Sequence, residues 1–276
     1  MIFTIQFWKE LYEHFVEDDV VGMSAQLAYF FLLSLFPFLI FLLTLIGFMP
    51  INPDSVFNII HRYIPGESME LILQNVNQLM EERNSGLLSF GIILTIWSAS
   101  NGINALMRVF NHAYETDERR SFIVRRLISI ALTIAMILVI TVALALPVFG
   151  KVAGNYIFAL LGYTDNFIVF WETFRWILSF FIIIFILTIL YILGPNQRIT
   201  LRHALPGAII ATIGWQLTSL GFAYYVENLG NFSYTYGSLG SIIVLMIWFF
   251  LSGMMLIIGG EINALLSRHK AELFKK

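Results

Sequence analysis

Cysteine is absent from all 276 residues, and charged residues make up only 12% of them. The first absence excludes disulfides, thiolate nucleophiles and cysteine-ligated metals. The second excludes an ordinary water-soluble domain, in which about a quarter of the residues are charged. Low-complexity tracts and internal repeats are missing too. What fills the chain instead is apolar, 58% hydrophobic and 16% aromatic. A protein core cannot hide that much surface from water, so the surrounding solvent is lipid. The net charge of −2 carries no message about partners, but the distribution of charge does.

A membrane-spanning helix needs about 20 mostly apolar residues. Six stretches qualify, at 25–49, 87–109, 127–150, 170–193, 204–226 and 238–262. With both termini in the cytoplasm, the inner segments hold Lys9, Arg108, Arg119, Arg120, Arg125, Arg126, Arg198, Arg202, Arg268, Lys270, Lys275 and Lys276. Only Arg62, Arg83, Lys151 and Arg175 then fall outside. Basic residues favour the cytoplasmic side, and an odd number of spans would spoil the asymmetry. The expectation is an all-α polytopic protein, one integral membrane domain over 1–276, with six transmembrane helices and both ends inside.

The opening residues lack a basic start and a small-residue cleavage site, so they do not read as a cleavable signal. In 2–21, Trp8, Leu11, Tyr12, Phe15 and Val16 recur at helical spacing. This is an amphipathic N-terminal helix lying on the membrane surface or packed on the protein itself. The first outer loop, 50–86, offers Asn52 before Pro53 and Ser68 before a Met69, Leu73, Val76 and Met80 stripe. Both are helix-start signals, and two short helices are expected there. Tyrosines in "ENLGNFSYTYGS" suit the lipid headgroup belt.

The second span carries polar residues at membrane depth. At about 100° per residue, Trp97, Asn101, Asn104 and Arg108 fall in one narrow arc with Ser98 at its edge. Such a stripe either bonds neighbouring helices, at roughly 0.6 kcal/mol per bond, or lines a hydrated transport pathway. Gly91 and Gly102 permit a kink in the same helix. On the fifth span Gly207, Ala211, Gly214, Thr218 and Gly221 form a small-residue face. That is a helix-packing surface, and the neighbour is either in this chain or in a second protomer of a homo-oligomer. Glu261 is a carboxylate inside the sixth span, near its cytoplasmic end. It is either a carboxylate satisfied at the inner interface or a proton or cation site, with Asn263 as helper.

Catalysis by acid–base or metal chemistry requires clustered His, Asp or Glu. His14, His61, His112, His203 and His269 are dispersed along the chain. His14 and Asp18 stand one helical turn apart, and their acidic surroundings read as a solvated polar face. No enzyme, no metal, no cofactor and no nucleic-acid partner are therefore expected. Arg119, Arg120, Arg125 and Arg126 follow from topology and offer a site for anionic lipid headgroups.

Several ordered blocks carry a family resemblance. They are "SAQLAYFFLLSLFPFLIFLLTLIG", "WSASNGINALMRVFNHAYE", "YILGPNQR", "LPGAIIATIGWQLTSLGFAYYV" and "YTYGSLGSIIVLMIWFFLSGMMLIIGGEINALL". Together they resemble the YihY/BrkB family of bacterial inner-membrane proteins across nearly the whole chain. The resemblance implies a six-helix plasma-membrane protein. It marks Tyr29, Ser34, Pro37, Trp97, Arg125, Pro195, Gly207, Trp215, Tyr225, Tyr236, Gly237, Trp248, Glu261 and Asn263 as recurring positions. Family members have carried a ribonuclease label, a virulence label and suggestions of ion or lipid transport. Polar residues at depth, the small-residue face, Glu261 and prolines within three spans (Pro37, Pro147, Pro206) point to a transporter, ion-coupled or lipid-translocating, of unknown substrate. The alternative is an envelope scaffold that moves nothing.

Overall fold

The structure, a computed structural model, describes residues 5–48, 85–137, 164–228 and 240–273. All regular structure among them is helical. The helices are α1 (Ile5–Glu17), α2 (Val20–Phe48), α3 (Ser85–Ala113), α4 (122–137), α5 (Thr164–Leu193), α6 (Leu201–Asn228) and α7 (Gly240–Leu273). Four stretches, Val20–Phe38, Leu88–Ala113, Leu201–Asn228 and Ile242–His269, are long and apolar enough to cross a membrane, and α5 adds a shorter one, Ile177–Leu193. The expected 127–150 span is helical as far as 137. Its remainder, the two short helices expected in the first outer loop and the tyrosines Tyr234 and Tyr236 lie outside the described residues.

The chain divides into two compact units, Phe30–Ala99 and the combination of Met1–Tyr29 with Ser100–Lys276. Within the first, α2 and α3 approach closely at Gly91, where a Cβ would stand 3.1 Å from the Phe41 nitrogen.

The second unit is organised around α6, which packs on α7 and on α5. Small residues allow the α6–α7 approach. A Cβ on Gly207 would fall on the Gly259 carbonyl, and one on Gly214 would stand 2.9 Å from the Met255 sulfur. Polar bonds cross the same contact: the Trp215 indole donates to Ser252 at 3.0 Å and the Trp248 indole to Ser219 at 3.3 Å. Pro206 interrupts the first turns of α6. Asn263 of α7 stands beside it, accepting from the Gly207 amide at 2.7 Å and donating to the Ala204 carbonyl at 2.9 Å. A side-chain amide thus satisfies backbone groups where the helix ladder is broken, as a Pro-containing span in lipid demands.

Helix α1 has two apolar faces. Phe7 is fully buried against Ile262 and Leu265 of α7, with Leu11 alongside. Ile5, Trp8, Tyr12 and Val16 lie on the opposite face and are exposed. Of the sequence stripe, Trp8, Tyr12 and Val16 face outward and Leu11 joins Phe7 on the packed face, which also carries Glu10, His14 and Asp18, three, seven and eleven residues from Phe7.

Two tight turns complete this end of the unit. Asp19 sits at φ 45° between α1 and α2 and caps α2 by accepting from the Gly22 amide at 3.1 Å. Glu115 sits at φ 50° after α3. There Thr116 bonds back to Asn111 and Glu115 to His112, a Schellman closure with glutamate where glycine is usual.

Candidate functional site

The α1–α2 turn, the end of α3 and the last turns of α7 converge on a group of charged side chains. Asp18 is 8% exposed and Glu261 is 1% exposed. One ligand atom each from His14, Asp18 and Glu261 lie within 4.8 Å of one another. Asp18 Oδ1 stands 3.1 Å from His112 Nε2, and Asp18 Oδ2 stands 3.7 Å from His14 Nδ1. Among the described residues, no N–H or hydroxyl donor reaches either oxygen of Glu261 or Oδ2 of Asp18, and the two carboxyl groups lie within bonding reach of each other. Orphaned buried carboxylate oxygens are costly, and two carboxyl groups side by side repel unless a proton or a cation comes between them. The arrangement is therefore built to receive positive charge.

Arg268 supplies one positive neighbour without bonding Glu261. Its guanidinium donates to the Ala113 carbonyl, pairs with Glu115 at 3.0 Å and bonds His14 Nε2 at 3.2 Å. Arginine only donates, so His14 Nε2 accepts and the neutral ring carries its proton on Nδ1, facing Asp18. One turn on, His269 and Glu10 are 2.6 Å apart. Burial alone would raise the Glu10 carboxyl, but the bonds to His269 and Gln6 outweigh it and hold it below the usual carboxylate range. Tyr114, just past α3, is pushed up by burial and by the Glu261 carboxylate nearby. A polar cavity of about 400 Å³ opens on this group, lined among others by His14, Asp18, His112 and Arg268. Glu115, in the left-handed region, lines it, and Asp19, also left-handed, directly follows the lining residue Asp18. Strained backbone held in place by its surroundings is a mark of functional segments.

The sequence reading of His14 and Asp18 as a solvated face is corrected here. The fold turns both toward α7, and His112, nearly a hundred residues away, joins them. Glu261 also does not reach the interface as an exposed carboxylate, nor is it bonded by arginine.

The other expected site residues are placed separately. Trp97 is exposed, whereas Ser98 and Ser100 are buried. Asn101 accepts from Arg126 Nη1 at 2.6 Å, and half-burial draws that arginine down from its ordinary value. Asn104 has a buried oxygen without a partner among the described residues, and Arg108 is exposed. Neither Asn101 nor Glu261 lines the polar cavity. Asn263 serves the α6 backbone rather than Glu261. On the small-residue face Ala211 is buried against Gly259, Thr218 is half-buried, and nothing described lies within 4 Å of a Cβ at Gly221.

Of the four inner-loop arginines, Arg119 is exposed and Arg125 lies 5.9 Å over the Phe122 ring. Arg120 donates to the Gly194 and Pro195 carbonyls at 3.2 and 2.7 Å. It also borders a second cavity, about 660 Å³, where Arg198 stands beside Ile128, Leu132, Ile189 and Leu193.

The family model for the virulence factor BrkB matches residues 11–276. The chain belongs to the BrkB family. A BrkB relative in Bacillus subtilis, named the ribonuclease-like protein YfkH, is 50% identical over 266 residues, covering 96% of this chain and 97% of its own. A UPF0761 membrane protein of Vibrio parahaemolyticus is 28% identical over 275 residues, covering 96% of this chain and 83% of its own. No solved structure matches. This BrkB chain is thus a helical membrane protein, in keeping with its composition and apolar helices.

Proposed function

We propose that this membrane protein is a cation-coupled transporter of the bacterial plasma membrane, with six spans and both termini in the cytoplasm. The observation that carries the reading is Glu261. It is an ionisable side chain in an apolar helix, 1% exposed, with neither oxygen reached by an N–H or hydroxyl donor among the described residues and Asp18 beside it. An ionisable group at membrane depth costs about 2.5–3.5 kcal/mol at a span centre on insertion scales, and it marks ion pathways. A paired site that gains stability on taking up positive charge and loses it on release is what coupling requires.

Contacts at one end of the bundle support the six-span orientation. Asp18 meets His112, Arg268 meets Ala113, and Arg120 meets Gly194. These bonds gather the start of α2, the ends of α3, α5 and α7, and the segment leading into α4. Those are the segments rich in basic residues. Six helices alternating from that shared end would place it, as the basic end, in the cytoplasm. The exposed Ile5, Trp8, Tyr12 and Val16 face then lies at the inner membrane surface. Lipids brominated on their acyl chains should quench Trp8 emission in a chain whose other tryptophans are replaced by phenylalanine; emission unchanged by bromination would remove α1 from the bilayer.

The anionic headgroup reading also stands as part of this proposal, with Arg119 and Arg198 the arginines open to lipid. We read the chain as no enzyme, because Glu261 sits too deep for a polynucleotide phosphate to reach it. An envelope scaffold is the second reading, favoured by the close α6–α7 packing.

The deciding experiment is flux. The purified chain is reconstituted in liposomes holding a pH-sensitive dye and given proton, sodium or potassium gradients, with Glu261→Gln run beside it. The expected result is flux under at least one gradient that the substitution abolishes. Equal rates in parent, variant and empty liposomes would overturn the reading in favour of the scaffold.

A further inference from the structure

We infer that His14, Asp18 and Glu261 form a binding site for a divalent first-row transition-metal ion. This metal ion is the cation of the coupling site proposed for Glu261. Its assignment rests on that site's geometry and not on anything crossing the membrane.

Ligand chemistry comes first. One imidazole and two carboxylates make a mixed nitrogen–oxygen set. Imidazole suits zinc, iron and their neighbours, whereas magnesium and calcium prefer oxygen alone. The chain contains no cysteine, so this is as strong a first-row set as it can build. Sodium and potassium have no use for an imidazole, and a proton shared by the two carboxyl groups would leave the His14 ring unused.

Geometry comes second. The three ligand atoms lie within 4.8 Å of one another. Around zinc, with bonds of about 2.0–2.2 Å, tetrahedral ligand atoms stand roughly 3.4 Å apart. Closing that gap takes side-chain adjustment of about an ångström, without moving a helix. Glu261 presents two fully buried oxygens that no described N–H or hydroxyl donor reaches, and Asp18 presents Oδ2. Those are the atoms an ion would satisfy. Asp18 is oriented from behind: His112 Nε2 stands 3.1 Å from its Oδ1, leaving Oδ2 for the ion. The polar cavity of about 400 Å³ reaches His14 and Asp18 and provides the way in.

Arg268 is the built-in competitor. Its bond to His14 Nε2 places the imidazole proton on Nδ1, the nitrogen that faces Asp18. Metal binding through Nδ1 moves that proton to Nε2 and releases the arginine, which keeps Ala113 and Glu115 as partners. The ion therefore exchanges with one guanidinium contact, which makes binding reversible.

The test is direct titration of the full-length chain in detergent, stripped by chelator, with zinc, manganese and magnesium chlorides in turn. Calorimetry reads binding and the unfolding midpoint reads its linkage to the fold. The expected result is saturable binding of zinc or manganese, about one ion per chain, with a raised midpoint and no response to magnesium. Affinity should fall about tenfold or more in His14→Gln and in Asp18→Asn, with His203→Gln unchanged as a control. His14→Gln is the variant to trust if Glu261→Gln or Asp18→Asn folds poorly, because His14 is half-buried and bears no charge when neutral. Affinity equal to the parent's in His14→Gln and Asp18→Asn, or no saturable binding by either metal, overturns the site. Because no gradient is involved, that failure would leave the liposome result untouched, and loss of flux would leave a measured metal affinity standing.

Discussion

Gly259→Leu is expected to destabilise the fold by more than about 3 kcal/mol and to leave little folded protein in detergent extracts. The first added carbon already has nowhere to go. It would fall on the Tyr191 hydroxyl, 2.7 Å from the Ala211 Cβ and 2.9 Å from the Gly207 carbonyl oxygen. None of these can yield cheaply. Tyr191 is 1% exposed and its hydroxyl donates to the Leu256 carbonyl at 2.8 Å. The Gly207 oxygen is backbone, held in the segment that Asn263 bonds. Overpacking costs typically about 1–3 kcal/mol where side chains can shift, so a rigid backbone neighbour puts this change at the top of that range or beyond. Gly221→Leu is the matched control on the facing helix. No described atom lies within 4 Å of its Cβ, and a cost of about 0.5 kcal/mol or less is expected. Thermal midpoints in detergent should separate the two widely; equal midpoints would mean that α6 and α7 do not meet at Gly259.

The helices were legible because lipid enforces a simple rule. Apolar residues must run for the thickness of the bilayer, and the backbone must satisfy itself within the helix. Hence the apolar stretches at 25–49, 87–109, 204–226 and 238–262 fall on α2, α3, α6 and α7. What periodicity could not give is which apolar face of a helix meets protein. In α1 both faces are apolar, and Phe7, outside the recognised stripe, packs on Ile262 and Leu265 together with only Leu11 of that stripe. Lipid and protein interior are equally greasy, so hydrophobicity does not distinguish them.

The site was half legible. Glu261 stood out because a carboxylate in an apolar helix is rare. Asn263, two residues on, stood out with it, but two residues turn a helix by about 200°, onto the other side, and its amide serves Gly207 and Ala204. His14 and Asp18 were visible as a pair one turn apart, yet no local signal says that a short surface helix will lay that face on α7. His112 was invisible as a partner because its distance to Asp18 along the chain carries no periodicity. One clue did exist. Asp18–Asp19 is a break in an otherwise continuous helical pattern, and such a turn brings its flanking side chains to whatever the first helix packs on.

Arg268→Ala is expected to destabilise the protein by about 2–3 kcal/mol, and Glu261→Gln in the same chain to recover most of that loss. Arg268 has three partners of unequal weight. Glu115 is 74% exposed at its side chain, so that pair contributes under about 1 kcal/mol. The Ala113 carbonyl ends α3, where guanidinium satisfies an orphan acceptor and meets the negative end of the helix dipole. The third contribution acts through His14, which holds the arginine's charge beside Asp18 and Glu261. With the charge removed, two buried carboxylates face each other with no cation bonded nearby among the described residues. Breaking a buried charge arrangement costs about 3–5 kcal/mol, and the arginine's 30% exposure lowers that figure here. Glutamine keeps the shape of Glu261 but cannot ionise beside Asp18, so it relieves this contribution and neither of the others. Unfolding midpoints of the parent, the two single variants and the double variant form the cycle. A double variant as weak as Arg268→Ala alone would assign the arginine to the end of α3 and leave the Asp18–Glu261 pair independent of it.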